Sequence, residues 1–418
     1  MKIDESYSDY MYNFVDTICK KFGPRYSCSN AEKEANKWIQ SELDKFCDET
    51  FIDEFKARPA MYPQGLIKIA GLLGGLSCIF MPLSFPLPIF TVIFVIWGLW
   101  VLYSELFLMK EWIKPFFKKR TSSNVFGIIR PQNTAKFRLI FEGHTDSAKV
   151  MNLASYKLKK RNLILALGLI YLFGNIGFSL WKFIAQIIIG PGINWFNMAL
   201  ISLNFVDWFY IPFFIITFPF FLWLVKGFLG KEVVMGANDN LAGSAVAVAI
   251  GKYLKENRPK NIEVWVGSQG SEEVGDQGAK AFVKKYGSEG ILDNAYAIVL
   301  ECCGAAGKMM LVEKDMHVKS YPKELNDLVQ KAYELTKQEN PDMLDLEIGR
   351  LFIGSCDACR YVHAGYKAIP LFGRGKESNK AVNWHSPQDI PENLEKKVLM
   401  DFLKISLKLI EIIDKEHE

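Results

Sequence analysis

Imidazole and carboxylate side chains, which are common zinc ligands in proteins, stand at the ends of several apolar runs of this sequence. Glu301 directly follows Ala-Ile-Val-Leu, where a carboxylate is costly to bury unless it is paired or bound to a cation. The adjacent side chains of Glu272 and Glu273 diverge, so one can bind a metal while the other faces a water molecule as a general base. The pattern therefore predicts metal-assisted activation of water. The candidate residues are His144, Asp146, Asp239, Glu272, Glu273, Glu301 and His385.

Each candidate also has an ordinary structural explanation. A single histidine such as His144 is more often structural or exposed than a ligand, and Asp239, just before a helix, could be an N-cap. The acidic pair at 272–273 could be a solvated turn. Metal chemistry is favoured because the candidates should meet at one edge of a sheet. No role is predicted for the remaining histidines, His317, His363 and His417.

Strands and helices alternate through the polar part of the sequence. Residues 30–46 and 243–254 have the helical spacing of apolar residues. This alternation predicts an α/β fold with a mostly parallel central sheet and helices on both faces. The carboxyl ends of the strands are then expected to assemble the site. The predicted strands are 125–129, 137–141, 262–266 and 297–300.

Half of the residues are apolar and 14% are aromatic, and both fractions are high for a freely soluble protein. Four apolar stretches are long enough to cross a bilayer, which takes roughly 20 helical residues. They form two hairpins, and membrane insertion explains them better than burial in a core. The linker of the second hairpin, with Gly190, Pro191, Gly192 and Trp195, is expected to lie along the membrane interface. The stretches are 65–83, 87–108, 162–181 and 209–228.

Basic residues flank these stretches unequally. They cluster at 110–120 and 157–161, whereas the hairpin tips carry only Lys182. Because basic residues are retained on the cytoplasmic side, we expect a multi-pass protein whose termini and polar sequence are all cytoplasmic. Eight cysteines without regular spacing fit that reducing compartment, and the polar N-terminus predicts no cleaved signal peptide.

One catalytic domain interrupted by two membrane hairpins is the organisation that these patterns predict. The domain comprises 1–64, 110–161 and 230–418, and the hairpins occupy 65–109 and 162–229.

Some functions and sites are disfavoured by composition. The formal net charge is only +4, and the basic residues lie beside apolar runs instead of alternating with aromatic residues, so we expect no nucleic-acid partner. Cys356 and Cys359 form a CxxC without a second one. Incidental thiols are therefore favoured over a structural zinc site.

The position of the hairpins in the chain predicts where the site faces. The turn 130–133 is expected to join 125–129 to 137–141 as an antiparallel pair, which places the start of the first strand at the same end as His144. In the chain, the first hairpin comes just before the start of that strand, and the second hairpin comes just after His144. We therefore expect the cleft to face the bilayer and to receive a peptide from the membrane. The alternative is that the hairpins only anchor the domain.

The order of the motifs resembles one family. His-x-Asp, Gly-Ala-x-Asp-Asn, Glu-Glu-x-Gly, a strand-final acid and a late histidine occur in this order, as in the dinuclear zinc aminopeptidases of the bacterial leucyl aminopeptidase and aminopeptidase Y type. Glutaminyl cyclases and the transferrin receptor ectodomain are related to that family. The similarity includes 22–25, 121–125 and 355–370, and covers nearly all of the polar sequence but no membrane stretch.

The resemblance implies a role for each candidate residue. In this family two zinc ions about 3.5 to 4 Å apart polarise the scissile carbonyl and activate the attacking water. Glu272 would be the base, Asp146 would orient His144, and the bond between Asp239 and Asn240 would be cis. The metal ligands would be His144 and Glu301 on one ion, Glu273 and His385 on the other, and Asp239 between both.

One residue departs from the family pattern. The family usually has aspartate where this chain has Glu301, followed by Cys302, so a one-metal enzyme or a different metal stays open at that position. Two other functions also stay open. They are a one-zinc aminoacyl transferase like the glutaminyl cyclases, and a metal-free scaffold like the receptor relatives.

Overall fold

The protein folds into two units. The sheet unit comprises Met1–Pro59, Lys119–Val150 and Glu232–Glu418, and the helical unit comprises Ala60–Lys118 and Met151–Lys231. The structure is a computed structural model, and it describes residues 3–189, 196–198, 200–352, 354–378 and 380–418.

The sheet unit contains one eight-stranded sheet in the order β1-β2-β6-β3-β7-β10-β8-β9, and β4 and β5 form a separate pair in the helical unit. The four central strands β6, β3, β7 and β10 are mutually parallel, while β1, β2 and β8 are antiparallel to a neighbour. The strands are β1 (Glu49–Ala57), β2 (Arg120–Ile129), β3 (Phe137–His144), β4 (Phe196–Met198), β5 (Ile201–Leu203), β6 (Ile262–Gln269), β7 (Ala295–Glu301), β8 (Lys308–Lys314), β9 (Leu346–Arg350) and β10 (Lys367–Arg374).

The expected pairing of the two strands around the turn 130–133 is wrong. β2 and β3 run in opposite directions, but β6 lies between them, antiparallel to β2 and parallel to β3. If β2 and β3 formed a tight hairpin, the apolar strand β6 could not lie between them. In the observed order β6 has a neighbouring strand on each side and is buried. The direction of β2 is as expected, so its start still lies at the same edge as His144.

Helices cover both faces of the sheet, as expected for this α/β fold. Neighbouring residues of a strand point to opposite faces, and in β6 Trp265 contacts Phe282 and Tyr286 while Val266 approaches Gly251. The helices are α1 (Ser6–Phe22), α2 (Asn30–Leu43), α3 (Gln64–Leu76), α4 (Ile89–Leu106), α5 (Asn152–Ser155), α6 (Leu158–Ile188), α7 (Phe205–Gly227), α8 (Ala242–Glu256), α9 (Gln277–Ser288), α10 (Lys323–Glu339), α11 (Ala358–His363) and α12 (Lys396–Glu416).

Helix α8 lies closest to the site-bearing edge of the sheet. Its first ten residues are all buried, and small side chains predominate among them, so the helix can approach β3 and β7 closely. At Gly243 a Cβ atom would clash with the carbonyl oxygen of Leu300 and lie 2.6 Å from Oδ1 of Asn240. Glycine at this position therefore permits the close approach of α8 to the end of β7.

Among the described residues of the helical unit, three helices are long and apolar enough to cross a membrane, namely α4, α6 and α7. The first predicted stretch is instead the shorter helix α3, which continues as a 3-10 turn to Phe80, so a count of four spans is not confirmed. Gly74, Gly75 and Pro82 weaken the helix there. The predicted interfacial linker at 190–195 lies outside the described residues.

The long helices expose large apolar side chains and bury polar ones. Trp208 is 66% exposed and Ile215 is 64% exposed, as expected for side chains that face lipid instead of water. Lys182 is fully buried, and its Nζ atom lies 2.9 Å from both carboxylate oxygens of Asp207. Lys182 is therefore neutralised inside the helical hairpin and does not count as a free basic residue at its tip.

Candidate metal centre

His144 ends strand β3 and is almost completely buried. Its Nδ1 atom lies 3.1 Å from the backbone carbonyl oxygen of Asp146, and the hydroxyl of Ser244 donates to the carbonyl of His144 at 3.3 Å. When Nδ1 donates its proton to that carbonyl, Nε2 is left as an acceptor. The imidazole is thus fixed with its lone pair toward the other candidates.

Asp239 lies in a tight turn between Gly236 and helix α8. Gly236 has a φ of 65°, which glycine adopts at little cost. The buried carboxylate of Asp389 accepts from the backbone N–H of Asn238 at 2.6 Å and of Asp239 at 3.2 Å. The bond between Asp239 and Asn240 is cis, as the resemblance implied.

The carboxylate of Asp239 lies between the two candidate imidazoles. Its Oδ1 atom is 3.2 Å from Nε2 of His144, and its Oδ2 atom is 3.4 Å from Nε2 of His385. One carboxylate therefore presents a separate oxygen to each histidine. This is the arrangement that a ligand shared by two cations requires.

Glu272 and Glu273 lie in the loop after β6, which two buried carboxylates hold in place. Glu32 accepts from the backbone N–H of Ser271 at 3.0 Å, and Asp146 accepts from those of Glu272 at 3.0 Å and Glu273 at 3.2 Å. The two side chains of the acidic pair diverge as expected.

Each member of the acidic pair approaches a different histidine. Oε2 of Glu272 is 3.6 Å from Nε2 of His144, whereas Oε2 of Glu273 is 3.1 Å from Nε2 of His385. Glu272 and Glu273 are both only partly buried, so a ligand can reach them from solvent.

Glu301, at the end of β7, is 5% exposed and belongs to two groups of potential ligands. One carboxylate oxygen lies within 4.8 Å of ligand atoms of His144 and Glu272, and a second group combines Glu301 with Asp239 and Cys302. Cys302 therefore adds a thiol at the position where the chain departs from the family pattern.

The structure thus brings together all five side chains that the sequence predicts as metal ligands. The predicted base, Glu272, lies close to them. Separate elements contribute them, namely β3, the turn before α8, the loop after β6, the end of β7 and a late loop. The candidate ligands are His144, Asp239, Glu273, Glu301 and His385.

Electrostatics around this set show an excess of buried negative charge. Burial raises the pKa of Glu301 to about 8 and also raises the pKa values of Glu272 and Glu273. Burial opposes protonation of His385, but the charge of Glu273 and a hydrogen bond with Asp239 raise its pKa to about 10. Protons on these side chains offset part of the buried negative charge, and a bound cation would offset it in their place.

The donor set fits zinc. Imidazole nitrogens and carboxylate oxygens are its usual ligands besides thiolate. Among the described residues, Oε1 of Glu273 and Oε1 of Glu301 are buried without a hydrogen-bond partner, which is costly for a carboxylate. Bound cations would satisfy both atoms.

Asp146 has a further contact besides the role that the resemblance implies. Its carboxylate lies 3.6 Å from Nδ1 of His144, and its two oxygens accept the backbone N–H groups of Glu272 and Glu273. His144 is oriented mainly by the nearer backbone carbonyl. Asp146 therefore holds the loop of the acidic pair as well as the histidine.

Sequence reasoning assigned no role to several buried residues that hold the ligand loops. Arg25 is fully buried and donates to the carbonyl oxygens of Thr145 at 2.8 Å and Gly236 at 3.0 Å, which links the loops that bear His144 and Asp239. Glu32 and Asp389 bind backbone N–H groups as described above. Arg25 lies in the segment 22–25 that the resemblance includes, whereas Glu32 and Asp389 have no distinctive local pattern.

Comparison with known protein families gave a match to the C-terminal part of the chain. Residues 224–410 match peptidase family M28. The chain contains an M28 peptidase domain. It is a metallopeptidase, and the family and the donor set assign zinc as its metal.

Solved structures share the fold of this M28 protein at low sequence identity. A zinc aminopeptidase from Bacillus subtilis has a TM-score of 0.54 at 13% identity, covering 97% of this chain and 95% of that chain. A leucine aminopeptidase precursor from Bacteroides thetaiotaomicron has a TM-score of 0.53 at 12% identity, covering 96% of each chain. A glutaminyl cyclase from Porphyromonas gingivalis has a TM-score of 0.54 at 14% identity, covering 98% of each. Comparison with curated proteins gave no match.

Proposed function

We propose that this M28 protein is a membrane-anchored zinc aminopeptidase that removes N-terminal residues from peptides. The observation that carries the proposal is the carboxylate of Asp239, which presents one oxygen to His144 at 3.2 Å and the other to His385 at 3.4 Å. A carboxylate placed in this way can join two cations into one reaction centre. The similar structures from Bacillus subtilis and Bacteroides thetaiotaomicron are described as aminopeptidases, which supports the exopeptidase reaction.

The residues divide into two cation-binding groups. Zinc ions bound here would supply Lewis-acid polarisation of the scissile carbonyl and of a water molecule. We assign Asp239 to both ions. The remaining ligands are His144 and Glu301 for one ion and Glu273 and His385 for the other.

Glu272 is the proposed general base. Its carboxylate is 3.6 Å from Nε2 of His144, so it faces the ligands, and its backbone N–H is fixed by Asp146 at 3.0 Å. Burial raises the pKa of Glu272, and a base with a raised pKa accepts a proton from water more readily near neutral pH. The carboxylate then holds that proton and transfers it to the leaving amine.

Replacement of Glu272 by glutamine tests the reaction and the base together. Removal of a general base lowers turnover by about 10²- to 10⁴-fold, while the ligand set is unchanged. We expect purified Glu272→Gln protein to keep its zinc and to lose hydrolysis of a peptide library followed by mass spectrometry. Glu289→Gln, the same change at an exposed residue, is the control. Undiminished hydrolysis by Glu272→Gln would remove this residue from the mechanism.

A second candidate reaction is cyclisation of an N-terminal residue. The glutaminyl cyclase from Porphyromonas gingivalis matches 98% of the chain, and Glu301 with Cys302 departs from the dinuclear pattern. A cyclase releases a product that has lost ammonia or water, whereas a peptidase adds water. Product mass and zinc content per chain therefore separate the two reactions.

Membrane anchoring is proposed with both termini and the sheet unit in the cytoplasm. It is supported by α4, α6 and α7, which are long and apolar enough to span a bilayer, and by the basic clusters at 110–120 and 157–161. Epitope tags at both termini should be protected from protease added outside intact cells. Cleavage of either tag would contradict this orientation.

Delivery of the substrate from the membrane is proposed on topological grounds. The chain leaves the sheet for the apolar helices after the ends of β1 and β3, and it returns before the start of β2 and before Asp239. Since Ala57 pairs with Arg120 at the end of the sheet where His144 lies, these connections share the edge that bears the ligands. Peptides with an apolar tail should be cleaved faster than tailless ones by enzyme in vesicles, and equal rates would favour the hairpins as simple anchors.

A further inference from the structure

A second group of metal-ligating side chains lies in the sheet unit apart from the ligands described above. One potential ligand atom each of Asp276, His317 and Cys359 lies within 4.8 Å of the others. Sγ of Cys359 and Oδ2 of Asp276 are 3.7 Å apart. Ligand atoms of a tetrahedral zinc ion, with bonds of about 2.0 to 2.3 Å, are roughly 3.5 Å apart. The distance between Sγ of Cys359 and Oδ2 of Asp276 is close to that value.

Three different elements hold these ligands by their backbones. Asp276 precedes α9 with a φ of 46°, and its N–H donates to the carbonyl of Glu272 at 2.8 Å. The N–H of His317 donates to Oδ1 of Asp315 at 2.7 Å, and its carbonyl oxygen lies 2.9 Å from Nε2 of His363. Such backbone contacts fix the direction in which the ligands point.

The third ligand lies in the first turn of helix α11. The N–H of Cys359 donates to the carbonyl of Cys356 at 3.0 Å. Cys359 is fully buried, and its thiol donates to Asp276. His317 is only partly buried, so an ion can approach from its side.

We propose that Asp276, His317 and Cys359 form a further binding site for zinc, separate from the M28 reaction centre. Carboxylate, imidazole and thiolate together are a zinc ligand set, and three protein ligands leave the fourth tetrahedral position for water. The CxxC of the sequence thus contributes one cysteine to a site whose other ligands come from distant segments.

Binding of the ion replaces a proton. Burial raises the pKa of the Cys359 thiol well above its usual value, so the residue is protonated in the metal-free chain. Zinc takes the place of that proton, which leaves to solvent, and the carboxylate and thiolate together balance the charge of the ion. Arg360, whose Nε atom lies 3.4 Å from Oδ2 of Asp276, also repels the ion, which lowers the affinity.

Occupancy of this site bears on the loop that carries the acidic pair. The loop runs from Ser271 to Asp276, and its last residue would be tied through zinc to α11 and to the segment with His317. Because a cation that binds only the folded state stabilises it, zinc should hold the loop of Glu272 in place. We therefore expect an ion bound here to support the loop of Glu272 from beside the reaction centre.

Cobalt substitution of the full-length protein in detergent tests the site directly. Metal is removed by a chelator, and Co²⁺ is titrated back. A thiolate bound to Co²⁺ gives a charge-transfer absorption in the near ultraviolet. We expect this absorption in the parent and in Cys302→Ser, the control for the thiol beside Glu301, and its loss in Cys359→Ser. No such absorption in the parent, or loss in Cys302→Ser instead of Cys359→Ser, would overturn the site.

A second variant guards against misfolding of Cys359→Ser. His317→Ala removes a ligand from a different segment, and we expect it to weaken Co²⁺ binding at the absorbing site by about tenfold or more. Unchanged affinity would exclude His317 and with it the site as described. Zinc analysis should find one equivalent fewer in Cys359→Ser than in the parent, and equal content would also overturn the site. These readings do not depend on whether the protein is an aminopeptidase.

Discussion

At the scale of single residues, buried carboxylates do two different tasks. Asp239 and Glu273 turn oxygens toward histidines, and Glu301 has a buried oxygen without a hydrogen-bond partner. Asp146 and Asp389 instead accept backbone N–H groups of the turns that carry the ligands. Both kinds of acid have the same sequence signature, an acid beside an apolar run. Only the hydrogen-bond partners separate ligands from residues that position ligands.

Asp146→Asn should impair the reaction without removing a ligand. An asparagine has one acceptor oxygen and one NH₂ group, so it can accept only one of the N–H groups of Glu272 and Glu273. We expect kcat/KM to fall by about 10- to 100-fold, as for other groups that orient metal ligands. Asp48→Asn, where the carboxylate binds Arg130 and Arg258 at the surface, should leave kcat/KM within about twofold. Equal rates for Asp146→Asn and the parent would show that the loop does not need this contact.

At the scale of elements, the approach of α8 to the end of β7 joins two ligands. Asn240 accepts from the N–H groups of Gly243 at 3.2 Å and Cys302 at 3.1 Å and donates to Leu300 at 2.8 Å. Asp239 directly precedes Asn240 in the chain, and Glu301 lies between Leu300 and Cys302. The distance between two of the proposed ligands is therefore set by packing between a helix and a strand.

Gly243→Ala should separate these elements. The new Cβ atom would clash with the carbonyl oxygen of Leu300, and because this oxygen belongs to the backbone, the backbone has to move. We expect a loss of about 3 kcal/mol in the free energy of unfolding and a lower zinc content.

The matched control for this change is Gly251→Ala in the same helix. Its Cβ atom would lie 2.9 Å from the side chain of Val266 and 3.3 Å from that of Phe46. Because side chains and not the backbone would have to shift, a smaller loss of about 1 kcal/mol is expected. Thermal unfolding and metal analysis measure both effects. Similar results for the two variants would contradict a special role of the contact at Gly243.

At the scale of the whole molecule, zinc and stability should be coupled through pH. In the metal-free chain the pKa of Glu301 is raised to about 8 and that of His385 to about 10. A group with a raised pKa stabilises the folded state below its unfolded pKa and loses that effect as pH rises through the folded value. Metal-free protein should therefore become less stable between about pH 5 and pH 9.

Bound zinc should oppose this loss, since it takes the place of protons on the same groups. We expect the difference in Tm between zinc-loaded and chelator-treated protein to grow as pH rises over that range. Differential scanning fluorimetry in detergent measures it. A difference that is constant or shrinks with rising pH would contradict the proposed link between these groups and the metal.

Much of the molecule could be predicted from local patterns. Short contiguous segments contain the patterns that were needed. They are the strand ends at His144 and Glu301, the acidic pair and the helical spacing at 243–254. The α/β class follows from the alternation of such segments. The first apolar stretch, 65–83, was predicted as a full span, but helix α3 ends at Leu76, and Gly75 and Pro82 interrupt the apolar run.

The amino-acid sequence by itself determined the residue types of the centre, their places at strand ends and the apolar segments that leave the polar domain. Tertiary structure decided that β6 separates β2 from β3, that Asp146 holds the acidic loop, and that Asp276, His317 and Cys359 meet. The physical reason is that such contacts depend on how distant segments pair and pack. The spacing of apolar residues within one segment does not specify which strand lies next to it.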